Sequence, residues 1–526
     1  MNFLSKIKLQ LDDDSRSIVP GGAFAILHEG TIVDELCCGS ETLSSKRRIN
    51  KKTKFHAASL AKQFTAYLIH AAQQEKLLHL ETRLGDVVAE FGEAISSVTI
   101  EQLLNHTSGI IDQWTLTSFL GKGPGDAVDT KYVVDLLKRF DRLNFEPGTN
   151  FVYCNSGYTL LSLILEEVYG EPFQKLATAK IFKPLGMRDT FFPDTAHDIS
   201  RNRAIAYTKI DGRYVECDAK YAVNGSTSLQ TSLEDMIRWV GATYTVDCSF
   251  FREVLDYRST LSSKLGYKNG FFILDSDEYK VIGHGGNDYG FYSALYYDPE
   301  NATSVIGLSN GSLASLEGEV LDELSIKSLV KSQIRKVKKF RPLSNEIVEG
   351  FYANEDYSDV RRFSYEDGHL KMLWGAEIAL QFDQASKEYR NKTSSIAIKA
   401  GNLTGNRTPR IISSNWAGNT ELTYIAGIEG ENRTDIKGLF LSKELGITAE
   451  LRTAGHKTSE FWLGSKCYGP IKWVTQDLFV FSSYWAYVRR GMNGVAEKLE
   501  LSHPRARRIE FVKVQMGEGD TAVHVS

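Results

Sequence analysis

Residues 270–310 read GFFILDSDEYKVIGHGGNDYGFYSALYYDPENATSVIGLSN. Four short runs stand out in this stretch, at 270–277, 279–286, 291–299 and 302–310. Each is apolar or β-branched and bounded by Gly, Asn or Asp, the pattern of strands joined by tight turns. An earlier segment, PGGAFAILHEGTIVDELCCG (20–39), reads the same way, as two strands around a turn at Glu29-Gly30. Between them the texture is helical. SLAKQFTAYLIHAAQQEKL (59–77) is rich in good helix formers and free of Gly and Pro. Further helices are expected at 100–106, 131–139, 157–169 and 232–241, and another at about 314–335, after the last strand. Strands that open and close a region with helices between them predict an α+β unit. Its centre is an antiparallel sheet packed on helices, not a βαβ repeat.

The rest of the chain fits a multidomain globular protein. Of its 526 residues, 42 % are apolar and 24 % charged, which excludes a mainly disordered, collagen-like or coiled-coil architecture. The formal charge is −4, so no electrostatic footprint for nucleic acid or an anionic membrane is present. No apolar run approaches a membrane span. The first residues, MNFLSKIKLQLDDDSRS, lack the apolar region and cleavage site of a secretory signal. The six scattered cysteines form no CxxC and read as reduced thiols. A cytoplasmic protein is therefore expected.

The basic, Pro-containing stretch RKVKKFRPLSNE (335–346) reads as a domain boundary. Beyond it, short strands and turns take over. A faint repeat lays Gly350-Phe351-Tyr352 on Gly438-Leu439-Phe440 and predicts two consecutive antiparallel β-barrels of about 90 residues each. One long barrel across both halves is the alternative. The expected domains are 1–335, 346–430 and 431–526.

Three local patterns carry chemistry. In Ser59-Leu60-Ala61-Lys62 the serine opens a helix, and the lysine lies one turn on, on the same face. A serine hydroxyl is a poor nucleophile until a base or cation activates it. In Tyr153-Cys154-Asn155 an extended backbone points the phenol and the amide to one side. A phenol can shuttle a proton, and an amide can hold a substrate carbonyl or N–H. Gly283-His284-Gly285-Gly286-Asn287 ends a strand with glycines that let a substrate approach the backbone. Taken singly, each has a plainer reading: a surface pair, a buried tyrosine beside a turn asparagine, and a glycine-rich turn.

Together, in this order, the three resemble the serine β-lactamase and penicillin-binding-protein superfamily in its class C-related branch. VTIEQLLNHTSGI (98–110), FEPGTNFVYCNSGYTLLSLILEEVYGEPF (145–173) and IFKPLGMRDTFF (181–192) are similar to segments common in that branch. SxxK is the serine motif of those enzymes. The resemblance covers about 15–320. It implies Ser59 as the acylated nucleophile, Lys62 as its proton acceptor or the group that keeps one poised, and Tyr153 as the second acid/base. Asn155 would bind the acyl side. His284 stands where many relatives carry the lysine of a KTG triplet, and Gly286 completes that triplet. The backbone N–H groups of Ser59 and Asn287 would form the oxyanion hole. No cofactor and no metal are implied.

The sequence departs from that pattern at two points. Cys154 replaces the usual serine and reads as a packing substitution. HGG replaces KTG, which removes a cation and a hydroxyl and puts penicillins and peptidyl-D-Ala termini in doubt as substrates. HGG followed by two barrels resembles a narrower group, the D-stereospecific aminopeptidases, in which a glycine-rich loop of the last barrel reaches the active site. The matching segment here is 463–470, LGSKCYGP. It offers no acid for a substrate ammonium, so Asp288 and Asp477 are the candidate partners. The expected partner is a small peptide, amide or ester, with a homodimer left open. Alternatives are an esterase, a β-lactamase-like or DD-peptidase hydrolase, or a non-catalytic protein that binds in the same pocket. One rival remains. Gly307-Leu308-Ser309-Asn310-Gly311 fits a G-x-S-x-G elbow, but too few residues separate it from His284-Gly285-Gly286 for an α/β-hydrolase, and Ser309 reads as the end of a core strand.

Overall fold

β1 (Gly22–His28) and β2 (Thr31–Cys38) form the hairpin expected at 20–39. Its turn residues Glu29 and Gly30 both hold positive φ, 49° and 74°, as a two-residue turn matching the twist of its strands requires. The structure, a computed structural model, describes Leu4, residues 18–311 and residues 350–514, apart from short stretches within them. The expected helix at 314–335 and the boundary at 335–346 lie outside the described residues.

Five more strands complete the first sheet: β3 (Leu265–Lys268), β4 (Phe271–Asp275), β5 (Lys280–Asp288), β6 (Phe291–Asp298) and β7 (Thr303–Ser309). The order is β2-β1-β7-β6-β5-β4-β3, antiparallel throughout. The N-terminal hairpin thus docks on the last strand of the region, Gly22 opposite Ser309. Alternation assigns the faces. Ala23, Ala25, Leu27, Leu295, Ile306 and Leu308 join the helices in the main core, while Phe24, Ala294, Tyr296 and Val305 form a smaller cluster on the other face. The helix Leu233–Thr243 lies on β1 and β7. The helices Ala61–Gln74 and Asn155–Tyr169 pack on each other, and Gly170 ends the latter in the left-handed conformation.

Ser309 is wholly buried, its single hydroxyl proton shared between the Gly21 and Gly311 carbonyls at 2.8 and 2.9 Å. It closes a core strand and presents no nucleophile elbow.

Past the first region, eight antiparallel strands from Gly350–Ala353 to Gly418–Ile425 follow in sequence order and close into a barrel. A second sheet of nine strands runs from Leu439–Ser442 to Ala506–Lys513. Its edge strands, Lys466–Pro470 and Lys472–Trp473, are separated in the chain by Ile471 alone. The sheet must therefore curl until its edges meet, a nearly closed barrel. Among the described residues, no helix is long and apolar enough to cross a membrane.

Candidate active site

Ser59 sits in a single 3-10 turn, Ala58–Leu60, that feeds into the helix Ala61–Gln74. Ala58 holds φ at 47°, a conformation that costs an L residue roughly 1–2 kcal/mol and that aligns the turn under the sheet. β5 fixes this turn from above. An added Cβ on Gly286 would stand 2.7 Å from the Ala57 carbonyl and 2.2 Å from Ser293 Oγ, so only glycine lets the strand pass so close. Ser293, opposite Gly286 on β6, donates to that same Ala57 carbonyl at 2.8 Å.

Lys62 is wholly buried one turn beyond the half-buried Ser59. Its ammonium donates to Ser59 Oγ at 3.1 Å, Asn155 Oδ1 at 2.9 Å and the Ser226 carbonyl at 2.7 Å. The Asn155 amide orientation is fixed by its other end, since Nδ2 donates to Asp112 Oδ2 at 3.0 Å, and a carboxylate only accepts. Asp112 also accepts the Asn155 N–H at 2.8 Å and caps the helix Gln113–Phe119. Burial lowers the Lys62 pKa to about 7, Asp112 and Asp288 opposing the shift and Arg505 adding to it.

The Tyr153 hydroxyl donates to Ser59 Oγ at 2.9 Å. The segment VTIEQLLNHTSGI (98–110) holds it there. His106 packs its ring 4.3 Å from that of Tyr153, accepts the Cys154 N–H through Nδ1 at 3.2 Å, and accepts the Val152 N–H through its carbonyl. Cys154 is buried, donates to the Ile110 carbonyl at 3.3 Å, and has its thiol pKa pushed up to about 12 by burial. It is a packing residue and no second nucleophile.

His284 lies on β5, 3 % exposed, its ring 5.9 Å from Tyr153 and 4.8 Å from Phe272. Nδ1 is 2.5 Å from the Gly285 carbonyl, which can only accept, so Nδ1 carries the proton. Nε2 is buried and, among the described residues, has no hydrogen-bond partner. Burial, then Lys62, lowers the His284 pKa to about 3. The ring is therefore a neutral acceptor at neutral pH, where the KTG pattern would place a cation.

Ser59, Tyr153, Asn155, His284, Gly286 and Asn287 line one cavity of about 620 Å³, with Lys62 directly beneath. Three charged side chains also line it: Asp288, Lys122 and Arg505. Asp288 accepts from Thr227 at 3.1 Å and lies 3.5 Å from His56 Nε2; burial raises its pKa to about 7. Asp477, the other candidate acid, pairs with Arg490 at 2.6 Å and does not line the cavity. Segment 463–470 reaches only the outer wall, where Tyr468 donates to the carbonyl of Ser118, a lining residue. The side chain that the C-terminal sheet sends into the cavity is Arg505, from the turn between Ala496–His503 and Ala506–Lys513. The sequence reading missed Arg505 and Asp112. Neither stands in a motif. Among the described residues, no three His, Cys, Asp or Glu side chains are grouped as metal ligands.

The serine hydroxyl is thus held between a buried lysine and a tyrosine, beside a glycine-rich strand. The Beta-lactamase family model matches residues 12–324. The chain belongs to that family. Within it, this beta-lactamase relative is similar to the D-aminopeptidase of Brucella anthropi, 27 % identical over 55 % of this chain and 56 % of that one, so the match spans about half of that relative. It is also similar to the D-aminopeptidase of Brucella ovis, 24 % identical over 94 % of this chain and 93 % of that one. Two solved structures share the fold. The octameric penicillin-binding protein homologue from Pyrococcus abyssi has a TM-score of 0.56 at 19 % identity, over 80 % of this chain and 99 % of that one. The D-stereospecific amidohydrolase from Streptomyces sp. has a TM-score of 0.52 at 22 % identity, over 62 % and 98 %.

Proposed function

We propose that this beta-lactamase family member is a serine hydrolase that cleaves an amide next to a D-amino acid through an acyl-serine intermediate, as a D-aminopeptidase. The observation that carries this reading is the Ser59 hydroxyl accepting from both Lys62 and Tyr153 at the floor of an accessible cavity.

Hydrogen-bond inventory supplies the first step. Two of the three Lys62 partners, Asn155 Oδ1 and the Ser226 carbonyl, can only accept. When Lys62 loses a proton, its two remaining N–H groups stay with them, and its lone pair faces Ser59. With a pKa of about 7, the neutral amine is well populated at neutral pH and takes the Ser59 proton as Oγ attacks the carbonyl carbon. The tetrahedral oxyanion would be held by the N–H groups of Ser59 and Asn287. Tyr153 gives its proton to the leaving nitrogen as the C–N bond breaks and recovers one from Lys62. Water then attacks the ester as its proton passes through the Tyr153 hydroxyl to the neutral Lys62 amine, and Lys62 returns that proton to Ser59 Oγ as the ester C–O bond breaks. Asn155 would take the acyl side, and Asp288 the substrate ammonium.

Likeness to the Brucella ovis D-aminopeptidase over almost the full chain supports an aminopeptidase over an esterase or a β-lactamase-like enzyme. We take 1–335 as the catalytic unit, and 346–430 and 431–526 as two covering β units.

The test is covalent labelling of Ser59 by a fluorophosphonate probe, run beside a panel of D-Ala amide, L-Ala amide, nitrocefin and a short-chain p-nitrophenyl ester. Labelling with turnover of D-Ala amide over L-Ala amide is expected. Absence of labelling would favour a non-catalytic binding protein; labelling with turnover of the ester alone would favour an esterase.

A further inference from the structure

We propose that Arg505 binds the carboxylate of the leaving amino acid. The favoured substrates are then short peptides whose leaving group is a free amino acid, over simple amides and esters. This rests on the hydrolase reading above and names its substrate class.

Arg505 is built in rather than trailing from the surface. Its carbonyl accepts the Asp112 N–H at 2.9 Å and Asn144 Nδ2 at 3.2 Å, and its own N–H donates to His503 Nδ1 at 3.3 Å. The neighbouring Arg507 N–H donates to Asn144 Oδ1 at 2.9 Å, and Arg142 pairs with Glu444 at 3.0 Å across the same junction. These bonds clamp the turn onto the catalytic unit, at the carboxylate-bearing residue that orients Asn155. The guanidinium lines the cavity with its Cζ 5.3 Å from the centre of the Tyr153 ring. Among the described residues it makes no ion pair with a carboxylate.

Position gives the specificity. Tyr153 is the group that hands a proton to the leaving nitrogen, so a cation over its ring stands on the leaving-group side. In an amino acid leaving group the carboxylate carbon is two bonds from that nitrogen, close enough for a guanidinium over the phenol to engage both oxygens. His284 does not compete: its Nδ1 proton is committed to Gly285, and Nε2 offers only a lone pair. The cation missing from the HGG strand is thus supplied by a different domain. Asp288 is the carboxyl group on the same cavity wall that would face the amino terminus. Through acylation the atoms balance simply. The Ser59 Oγ–C bond forms and the C–N bond breaks. The nitrogen receives the Tyr153 proton, and the free amino acid departs with its carboxylate on Arg505. The other cation of the cavity, Lys122, lies over the Tyr132 ring at 5.1 Å and is the natural control.

The experiment compares D-alanyl-D-alanine with D-alanyl-D-alanine carboxamide, which differ only in that carboxylate. Full-length wild type, Arg505→Ala, Arg505→Gln, Arg505→Lys and Lys122→Gln are assayed for kcat/KM. Wild type is expected to favour the acid by about tenfold or more, a charge-assisted pair's worth. Arg505→Ala and Arg505→Gln should erase that ratio, Arg505→Lys should retain part of it, and Lys122→Gln should keep it. A ratio unchanged in both neutral Arg505 variants, or lost in Lys122→Gln alone, overturns the proposal. If wild type turns over neither peptide and is not labelled at Ser59 by the fluorophosphonate, the hydrolase reading fails on its own. Calorimetric Kd values for the same peptides and proteins then decide the arginine: a carboxylate preference lost with Arg505 supports it, and no preference refutes it.

Discussion

The Tyr153 hydroxyl donates to Ser59 Oγ across 2.9 Å, although 94 residues separate the two in the chain. Lys62 donates to the same oxygen from one turn away. In the mechanism proposed above the three side chains share one proton-transfer route, and losses within such a unit do not add. Ser59→Ala and Lys62→Ala should each lower kcat/KM on D-Ala amide by about 10³-fold or more, and the double variant should be no worse than either. Additive losses in steady-state kinetics would break the unit apart. Ser309→Ala, by contrast, removes the shared core hydrogen bond of its hydroxyl. It should lower unfolding free energy by about 1–2 kcal/mol in urea titration while the protein still labels at Ser59.

The pH profile follows from Lys62. Its folded pKa of about 7 lies below the ordinary lysine value, so the basic form exists above about pH 7 and is lost as pH falls through it. On an uncharged ester, kcat/KM should therefore drop on the acid side of about pH 7. Asp288 raises the Lys62 pKa, so Asp288→Asn should move this limb to lower pH. On a substrate with an ammonium the same variant should raise KM. A limb that stays in place would remove Asp288 from the electrostatics of the site.

Asp112 is a positioning residue for Asn155, and through it for Lys62. Asp112→Asn should lower kcat, and loss of its charge should also shift the acid limb downward, since Asp112 supplies the largest charge effect raising the Lys62 pKa. A stability change without a limb shift would leave Asp112 a helix cap only. That cap and its buried bonds are worth about 1–3 kcal/mol.

The segment 463–470 holds the outer wall through Tyr468 and Ser118, and Tyr484 lies 3.1 Å from Ser118 Oγ beside it. Shortening this hairpin should loosen the wall around Ser118 and admit bulkier acyl groups, with Ser59 still labelled. Unchanged selectivity across D-Ala, D-Phe and D-Trp amides would confine the hairpin to a structural role.

The sequence made six of the seven strands of the first sheet legible because they alternate or run apolar between glycine turns, the edge strand Leu265–Lys268 being the exception, and Ser59, Lys62, Tyr153 and His284 because each stands in a local pattern. Helix spans shifted by a few residues: the helix expected at 59–77 is a 3-10 turn followed by Ala61–Gln74. Asp112 and Arg505 were illegible for a different reason. Asp112 earns its role by facing an amide 43 residues away, and Arg505 by a docking contact between domains. The charge state of His284 was only partly readable, because it depends on burial and on a carbonyl that no motif encodes.

The pairing of β1 with β7 has a consequence for synthesis. Gly21 and Ser309, bonded at the end of that pair, are 288 residues apart. A ribosome adding about 5–20 residues per second needs roughly 15–60 seconds to bring the second strand into being. Until then β1 and β2 form a lone hairpin, which is at best marginally stable in water. Through that interval the apolar face of β1 has no partner strand, and the nascent chain is exposed to aggregation at that edge.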